Sequence, residues 1–339
     1  MKVLVTGASG FLGTAVVAQV RAAGHVVVAM VRPTAVLEGA PWDDPAVDIV
    51  RGDLRERGTW REAISGIDAV VHLAAAASGD LSTQFQGTVL GTENLLHALD
   101  RSSVQRFVHI SSFSVYDFAA LRAGALLDEN SPLERQPERR DAYTTTKLVQ
   151  EQLVREAFSD RSDALVVVRP GAIFGPGKDW DHGLALTFGT RLGVLFAPRS
   201  TMRLTSVGNC ADAITAALVS PRAGGTTVNI VDDVLPTHRE FLRMSRAEGA
   251  EVPTTVVVPW WMVAAIGRLT DWIDRRWCGG RARLPEFLDW TRQQARWKPL
   301  TYTNDRARDV LGWSPSTTLR QAVAAMVAFE RFAAERSGR

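Results

Sequence analysis

The sequence predicts an α/β fold: a doubly wound parallel sheet of about seven strands with a smaller, mostly helical C-terminal part. Three observations carry this. Up to Pro170, apolar runs rich in β-branched residues alternate with helical patterns, as parallel strands joined by crossover helices require. The first run passes straight into glycines at Gly7, Gly10 and Gly13 and then into an amphipathic helix. Beyond Pro170 the alternation breaks up, and residues 236–339 read as helices interrupted by Pro259, Pro285, Pro299 and Pro315.

Taken in order, residues 3–6 form the first buried strand. Gly7 permits the tight turn after it, Gly10 lets backbone approach a pyrophosphate, and Gly13 lets the next helix pack closely on the strand. That helix covers 14–23 and is stopped by Gly24. Its N-terminus offers unpaired N–H groups and the positive end of a dipole to phosphates. Further strands follow at 26–31, 48–51, 69–73, 106–110, 164–169 and 226–231. A helix over 88–101 places Leu95, Leu96 and Leu99 on one face. The stretch through Gly171, Pro176, Gly177, Lys178, Asp179 and Trp180 reads as a loop at the C-terminal end of a strand, where ligands bind in open α/β sheets. The expected division is a dinucleotide-binding domain of 1–170 with 204–232 and a substrate-binding domain of 171–203 with 233–339.

Composition narrows the class. The 39 basic and 37 acidic residues are interspersed and leave a net charge of +2, so no nucleic-acid-binding stripe is expected. Cys210 and Cys278 match no metal-ligand spacing, which fits a reducing compartment. Met1 and Lys2 lead directly into the first strand without a leader pattern, and no apolar run reaches the ~18 residues of a membrane span, so a cytoplasmic protein is expected. Asp179, Asp181 and His182 share a polar loop, but such loops are more often lids than metal sites, and no metal is expected. Seven of the ten tryptophans, from Trp260 to Trp313, fall in the C-terminal part. They read as the core of a small helical domain or as an aromatic wall for a bulky apolar substrate. The apolar residues 256–266, followed by Arg275, Arg276, Arg281 and Arg283, offer peripheral membrane contact as the alternative to a dimer face or core.

Chemistry concentrates in two places. Tyr143 and Lys147 stand four residues apart, hence on one face of a helix, and Ser111, Ser112 and Ser114 lie at the end of a strand. Around them, in chain order, stand Thr6-Gly7-Ala8-Ser9-Gly10-Phe11-Leu12-Gly13, Gly52-Asp53-Leu54, His72-Leu73-Ala74-Ala75, Gly91-Thr92-Glu93-Asn94, Arg169-Pro170-Gly171 and Phe174-Gly175-Pro176. Over nearly its whole length the chain resembles the extended short-chain dehydrogenases/reductases. That Rossmann-fold family includes nucleotide-sugar epimerases, dihydroflavonol-type reductases and 3β-hydroxysteroid dehydrogenases.

The resemblance implies a catalytic set of Ser112, Tyr143 and Lys147. Tyr143 would be the acid/base for a substrate hydroxyl or carbonyl. A free phenol titrates near ~10 and needs a nearby ammonium to favour phenolate. Lys147 would supply that charge and hold the nicotinamide ribose, and Ser112 would donate to the substrate oxygen, with Ser114 in reserve. Cofactor contacts are implied for Gly7, Ser9, Gly10, Phe11, Leu12, Gly13, Arg32, Asp53, Leu54, Leu73, Ala74, Ala75, Pro170, Gly171 and Ile173, besides Tyr143 and Lys147. The family's acidic position at the end of the second strand is Val31, followed by Arg32. A guanidinium in place of a carboxylate favours NADP, with NAD as the alternative.

Departures from the family pattern shape the functional reading. Thr88 stands where an Asn is usual, Arg203-Leu204-Thr205 replaces the Arg-Asp-aromatic of nucleotide-sugar enzymes, and Phe113 after Ser112 argues against sugar 4,6-dehydratase chemistry. The reading that follows is an NADP(H)-dependent oxidoreductase interconverting a secondary alcohol and a ketone on a moderately large, partly apolar small molecule. The alternatives are a nucleotide-sugar epimerase with tightly bound NAD, using Arg203, Arg191 or Arg281 on the diphosphate, and a non-catalytic dinucleotide sensor. The resemblance also admits a homodimer.

Overall fold

Seven short runs of β-branched and apolar residues pair as parallel strands: β1 (Lys2–Thr6), β2 (Val26–Val31), β3 (Val47–Arg51), β4 (Ala69–His72), β5 (Arg106–Ile110), β6 (Leu165–Pro170) and β7 (Thr227–Ile230). In the computed structural model, which describes residues 1–58, 60–99, 103–178, 184–188, 191–279, 282 and 284–337, their order is β7-β6-β5-β4-β1-β2-β3. The direction of winding reverses between β1 and β4, opening a crevice at their C-terminal ends. Side-chain alternation decides which layer each strand residue enters. Val3 and Val5 pack with Val16, Val17 and Val20 of α1 (Phe11–Ala22) on one face. Leu4 joins Leu95, Leu96, Val154 and Phe158 on the other, so both faces are buried under helices.

Boundaries differ from the sequence reading where backbone detail decides them. α1 starts at Phe11 rather than residue 14, because Gly10 is already its extended N-cap, and it ends before Gly24 at φ +83°. The helix read as 88–101 begins earlier, with Leu81–Phe85 capped by Asp80, whose carboxylate accepts a bond from the Thr83 N–H. It passes through a π-helical turn, Gln86–Leu90, and continues as Gly91–Ala98. Arg101 lies outside the described residues.

The C-terminal part is less purely helical than the sequence suggests. Thr254–Val258 pairs in parallel with Leu192–Phe196, which pairs antiparallel with Leu186–Phe188. The run Thr-Thr-Val-Val-Val is β-branched throughout, and Pro259 then starts the helix Trp260–Ile273. So the apolar stretch 256–266 is a strand end followed by a helix start. That helix packs Val263, Ala264 and Gly267 inward and leaves Trp261, Met262, Ile266, Leu269 and Trp272 exposed. Among the described residues no helix is long and apolar enough to cross a membrane. Arg281 and Arg283, read with this stretch, lie outside the described residues.

Candidate active site

The crevice is built first by glycine. Gly7 turns the chain at φ +68°, a left-handed conformation that a Cβ disfavours, and a Cβ there would stand 3.0 Å from the Ala74 nitrogen. At Gly13 a Cβ would lie 2.1 Å from the Gly7 carbonyl oxygen and 2.6 Å from that of Ala8, so its absence seats α1 against the loop itself. No side chain caps the N-terminus of α1, which leaves its first amides and dipole to an anion. A groove of about 450 Å3 runs from this loop, and it gathers Gly7, Gly10, Phe11, Leu12, Gly13, Leu73, Ala75, Ser112, Tyr143, Lys147, Pro170, Gly171 and Ile173. An uncapped helix start, a glycine cradle and this length of groove fit a dinucleotide.

Other predicted contacts lie around that groove rather than on its lining. Ser9 is within the glycine loop. Ala74 donates its N–H to Thr6 Oγ1 at 3.3 Å behind Gly7. Arg32 is exposed just after β2. Leu54 is buried in the core beside Trp60. Asp53 accepts charge-assisted bonds from Arg55, from Nε to both carboxylate oxygens at 3.0 Å and from a terminal nitrogen at 2.6 Å, and this pairing, ahead of Arg32's charge, holds its carboxyl below the usual range. The carboxylate expected to meet adenine is therefore already engaged by a neighbouring guanidinium.

The reacting end of the groove is set by β5 and by α2 (Ala142–Ala157), whose N-cap Asp141 accepts the Thr144 N–H. Ser111 also lines the groove but its hydroxyl is committed to Glu151 Oε2, to which it donates at 2.6 Å, while Ser112 is hydrogen-bonded to the Tyr143 phenol. Burial pushes that phenol above its ordinary value, the Ser112 bond opposes this, and Asp141 adds to the rise. Lys147 is buried, and desolvation lowers its ammonium to about 7 against the pull of Glu151. Its Nζ donates to the Ile110 carbonyl at 2.6 Å and to Gln150 Oε1. Burial of the phenol thus sets the direction of its shift, and the charge of Lys147 is not among the causes of it.

Sequence reasoning missed what holds Lys147. Gln150 Nε2 bonds the Ala74 carbonyl at 3.0 Å and Thr92 Oγ1 at 2.8 Å, and sits 3.2 Å from His72 Nε2. His72 Nδ1 meets Thr6 Oγ1 at 2.7 Å, and burial lowers the imidazole to about 3, so it is neutral. Thr88, in the usual Asn position, accepts the Ala76 N–H at 3.0 Å. Lys178 also reaches the groove, donating to the Ile173 carbonyl at 3.0 Å beside the Phe11 ring. Its signal in the sequence was its place in the loop after Gly177.

A second cavity, of about 520 Å3, adjoins the groove, and Ser114, Ala172 and Arg203 line both. Parallel pairing of Ala172–Phe174 with Leu204–Ser206 sets Arg203 there; the Arg203 carbonyl would lie 2.4 Å from a Cβ on Gly171. Arg140, Arg292, Arg296 and Glu286 complete its polar wall. Among the described residues no tryptophan lines either cavity. Trp297 and Trp313 are buried in cores, whereas Trp261, Trp272 and Trp277 are exposed, so the aromatic-wall reading is not met. Arg191 is exposed on the turn before Leu192–Phe196, away from both cavities, and Arg281 lies outside the described residues. So do Asp179, Trp180, Asp181 and His182; among the described residues no group of three or more ligands is placed to hold a metal.

Comparison with known proteins agrees with this fold. The sequence profile described as the NAD dependent epimerase/dehydratase family matches residues 3–230. The chain is 35% identical over 185 residues to a Mycobacterium tuberculosis protein named 3 beta-hydroxysteroid dehydrogenase/Delta 5-->4-isomerase, covering 52% of this chain and 48% of that one. It thus spans about half the length of that relative. It is 28% identical over 326 residues to the 3-diazoavenalumate denitrifying reductase of a Streptomyces species, covering 93% of this chain and 96% of the relative. In fold it is similar to UDP-glucuronic acid 4-epimerase from Bacillus cereus in complex with NAD, with a TM-score of 0.73, 19% identity, and 98% and 99% of the two chains covered.

Proposed function

Because the chain belongs to the NAD dependent epimerase/dehydratase family, we propose that it is an NADP(H)-dependent oxidoreductase interconverting a secondary alcohol and a ketone on a moderately large, partly apolar molecule. The observation that carries this is the meeting of Ser112, Tyr143 and Lys147 at one end of the glycine-loop groove. When bound there, the nicotinamide supplies or accepts the hydride. Ser112 donates to the substrate oxygen as charge develops on it. Tyr143 delivers the proton during reduction and receives it during oxidation. A phenol raised by burial starts protonated, which suits the reducing direction. Lys147, fixed by the Ile110 carbonyl and Gln150, orients the ribose and favours phenolate whenever it is charged. Arg32, exposed at the end of β2 where no carboxylate stands, supports NADP over NAD. Cys210, free and buried, supports a cytoplasmic setting.

One observation favours a second reading. Arg203, at the junction of groove and cavity, is placed to meet the diphosphate of a nucleotide sugar, as an epimerase requires.

Calorimetric titration with NADPH and NADH, together with Tyr143→Phe, tests the assignment. The purified protein is expected to be free of dinucleotide and to bind NADPH roughly tenfold or more tighter than NADH, a difference of about 1.4 kcal/mol. Tyr143→Phe should keep that affinity and lower ketone-dependent NADPH oxidation by roughly 10²-fold or more. NAD surviving purification would move the assignment to the epimerase, and unchanged turnover in Tyr143→Phe would remove the mechanism.

A further inference from the structure

In the helix Trp260–Ile273 the smaller residues point inward and the large apolar ones outward, the reverse of a helix built to cover a core. Val263, Ala264 and Gly267 form the inner face, and a Cβ at Gly267 would stand 2.0 Å from Gln293 Oε1 of the helix Trp290–Trp297. One turn on, Thr270 Oγ1 donates to the Leu288 carbonyl at 2.6 Å. Gly267 is the helix's one glycine, so this close approach fixes which face lies inward. The outer face is therefore set by the packing, and Trp261, Met262, Ile266, Leu269, Trp272 and Ile273 recur along it at helical spacing. Trp261 is 69% exposed and Trp272 57%. Trp277, in the π-helical turn Asp274–Cys278 that follows, is 66% exposed and meets the Trp272 ring edge-on at 5.3 Å. An apolar stripe of this length marks an interaction surface, unlike apolar residues scattered singly over a solvated one.

The residue types beside the stripe indicate what covers it. Residues 268–283 hold five arginines against two aspartates, with Arg281 and Arg283 outside the described residues. Both aspartates are half-buried and engaged: Asp271 accepts from Arg275 at 2.8 Å, and Asp274 accepts the Ala282 N–H at 2.9 Å. Arg268 lies over the Trp290 ring, and Arg275 and Arg276 are exposed next to Trp277. Indoles, with an apolar ring and one N–H to satisfy, and guanidiniums on long apolar stems both suit the boundary between acyl chains and anionic headgroups. We propose that this face docks the protein on an anionic lipid surface, with the helix lying in the plane of the interface and not crossing it. The docking does not rest on the oxidoreductase reading, but it bears on substrate access. The helix Trp290–Trp297, on which the docking helix packs, carries Arg292 and Ala295 of the second cavity's wall. That cavity therefore lies one helix behind the docking face, on the side from which a partly apolar molecule dissolved in a bilayer arrives.

The test is flotation of the full chain with vesicles of phosphatidylglycerol and phosphatidylcholine, and with vesicles of phosphatidylcholine alone, at low and high salt. The protein should float with the anionic vesicles, less at high salt, and should bind the neutral ones at least roughly tenfold more weakly. The double variant Trp261→Ser, Trp272→Ser removes two exposed rings that belong to no buried core. It should weaken binding to the anionic vesicles roughly tenfold, a loss of about 1.4 kcal/mol, with an unchanged circular dichroism spectrum. The proposal is overturned if the chain does not bind anionic vesicles, if it binds neutral ones equally well, or if the double variant leaves the affinity unchanged. Sedimentation equilibrium separates the other occupant: dimerisation without lipid binding, abolished by the same variant, would overturn the lipid surface and assign the face to a second copy of the chain.

Discussion

Lys147 shows how far a single side chain depends on neighbours that a linear pattern does not reveal. Its ammonium is lowered to about 7 by burial, and two acceptors, the Ile110 carbonyl and Gln150 Oε1, favour the charged form that remains. Gln150 is in turn fixed by Ala74, Thr92 and a neutral His72. Removing the amide takes away an acceptor and leaves the desolvation, so Gln150→Leu should move the Lys147 pKa further down from about 7, and Gln150→Glu should move it up. The chain has four lysines, which makes a pH titration of isotope-labelled lysine side chains by NMR directly assignable with Lys147→Met as the reference. An unmoved titration in Gln150→Leu would show that Gln150 does not hold the ammonium. Ser112, Tyr143 and Lys147 were legible as a set because their types and spacing carry a recognisable chemistry. Gln150, Arg140 and Arg292 were not, since Gln150 gains its meaning only where α2 meets the chain leaving β4, and the two arginines only where the helix Trp290–Trp297 meets the segment just before α2.

At the scale of an element, α2 serves stability on the same face that it presents to the groove. One turn beyond Lys147, Glu151 accepts from Ser111, and from Arg169 at 2.6 Å across from β6, with Arg155 also bound to it. Burial opposes the charge on Glu151, but these partners prevail and hold its carboxyl at about 2, below the ordinary 4.5. Between about pH 2 and 4.5 the unfolded chain therefore binds more protons than the folded one, so stability rises with pH across this window and is lost as pH falls through it. Denaturant unfolding measured at several pH values should show that slope. Glu151→Gln should flatten it and lower stability at neutral pH, because Arg169 would be left buried without its counter-charge. A slope identical in the variant would assign the acid lability to other carboxylates. The elements themselves were largely legible: seven strands and their intervening helices follow from alternating apolar runs. Their ends were not, because Gly10 as an N-cap, the π-helical turn Gln86–Leu90 and the pairing of Thr254–Val258 are fixed by backbone bonds rather than by side-chain periodicity.

Across the whole molecule, the chain leaves the sheet after β6, returns for β7 and comes back to it again near the C-terminus. Thr301–Tyr302 pairs with Leu126–Leu127, and Asn209 bonds the backbone of Ser316 and Thr317. Ala307, Leu311 and Trp313 are buried in the same cluster as Val3, Val5 and the α1 valines. The sequence pattern indicates that Trp313 is apolar and suited to burial, but not that its partners lie some three hundred positions earlier in the chain. Since the last segment completes the core of the first, loosening the C-terminal part exposes one face of the sheet, and the two parts should not melt independently. Denaturant unfolding followed by tryptophan fluorescence, which reports mainly on residues 260–313, and by far-ultraviolet circular dichroism, which reports on sheet and helix throughout, should therefore give coincident transitions with one m-value. Separate transitions would mean that the arginine-lined wall can open without unfolding the sheet. Substrate access would then be a matter of domain stability rather than of the junction at Ser114 and Arg203.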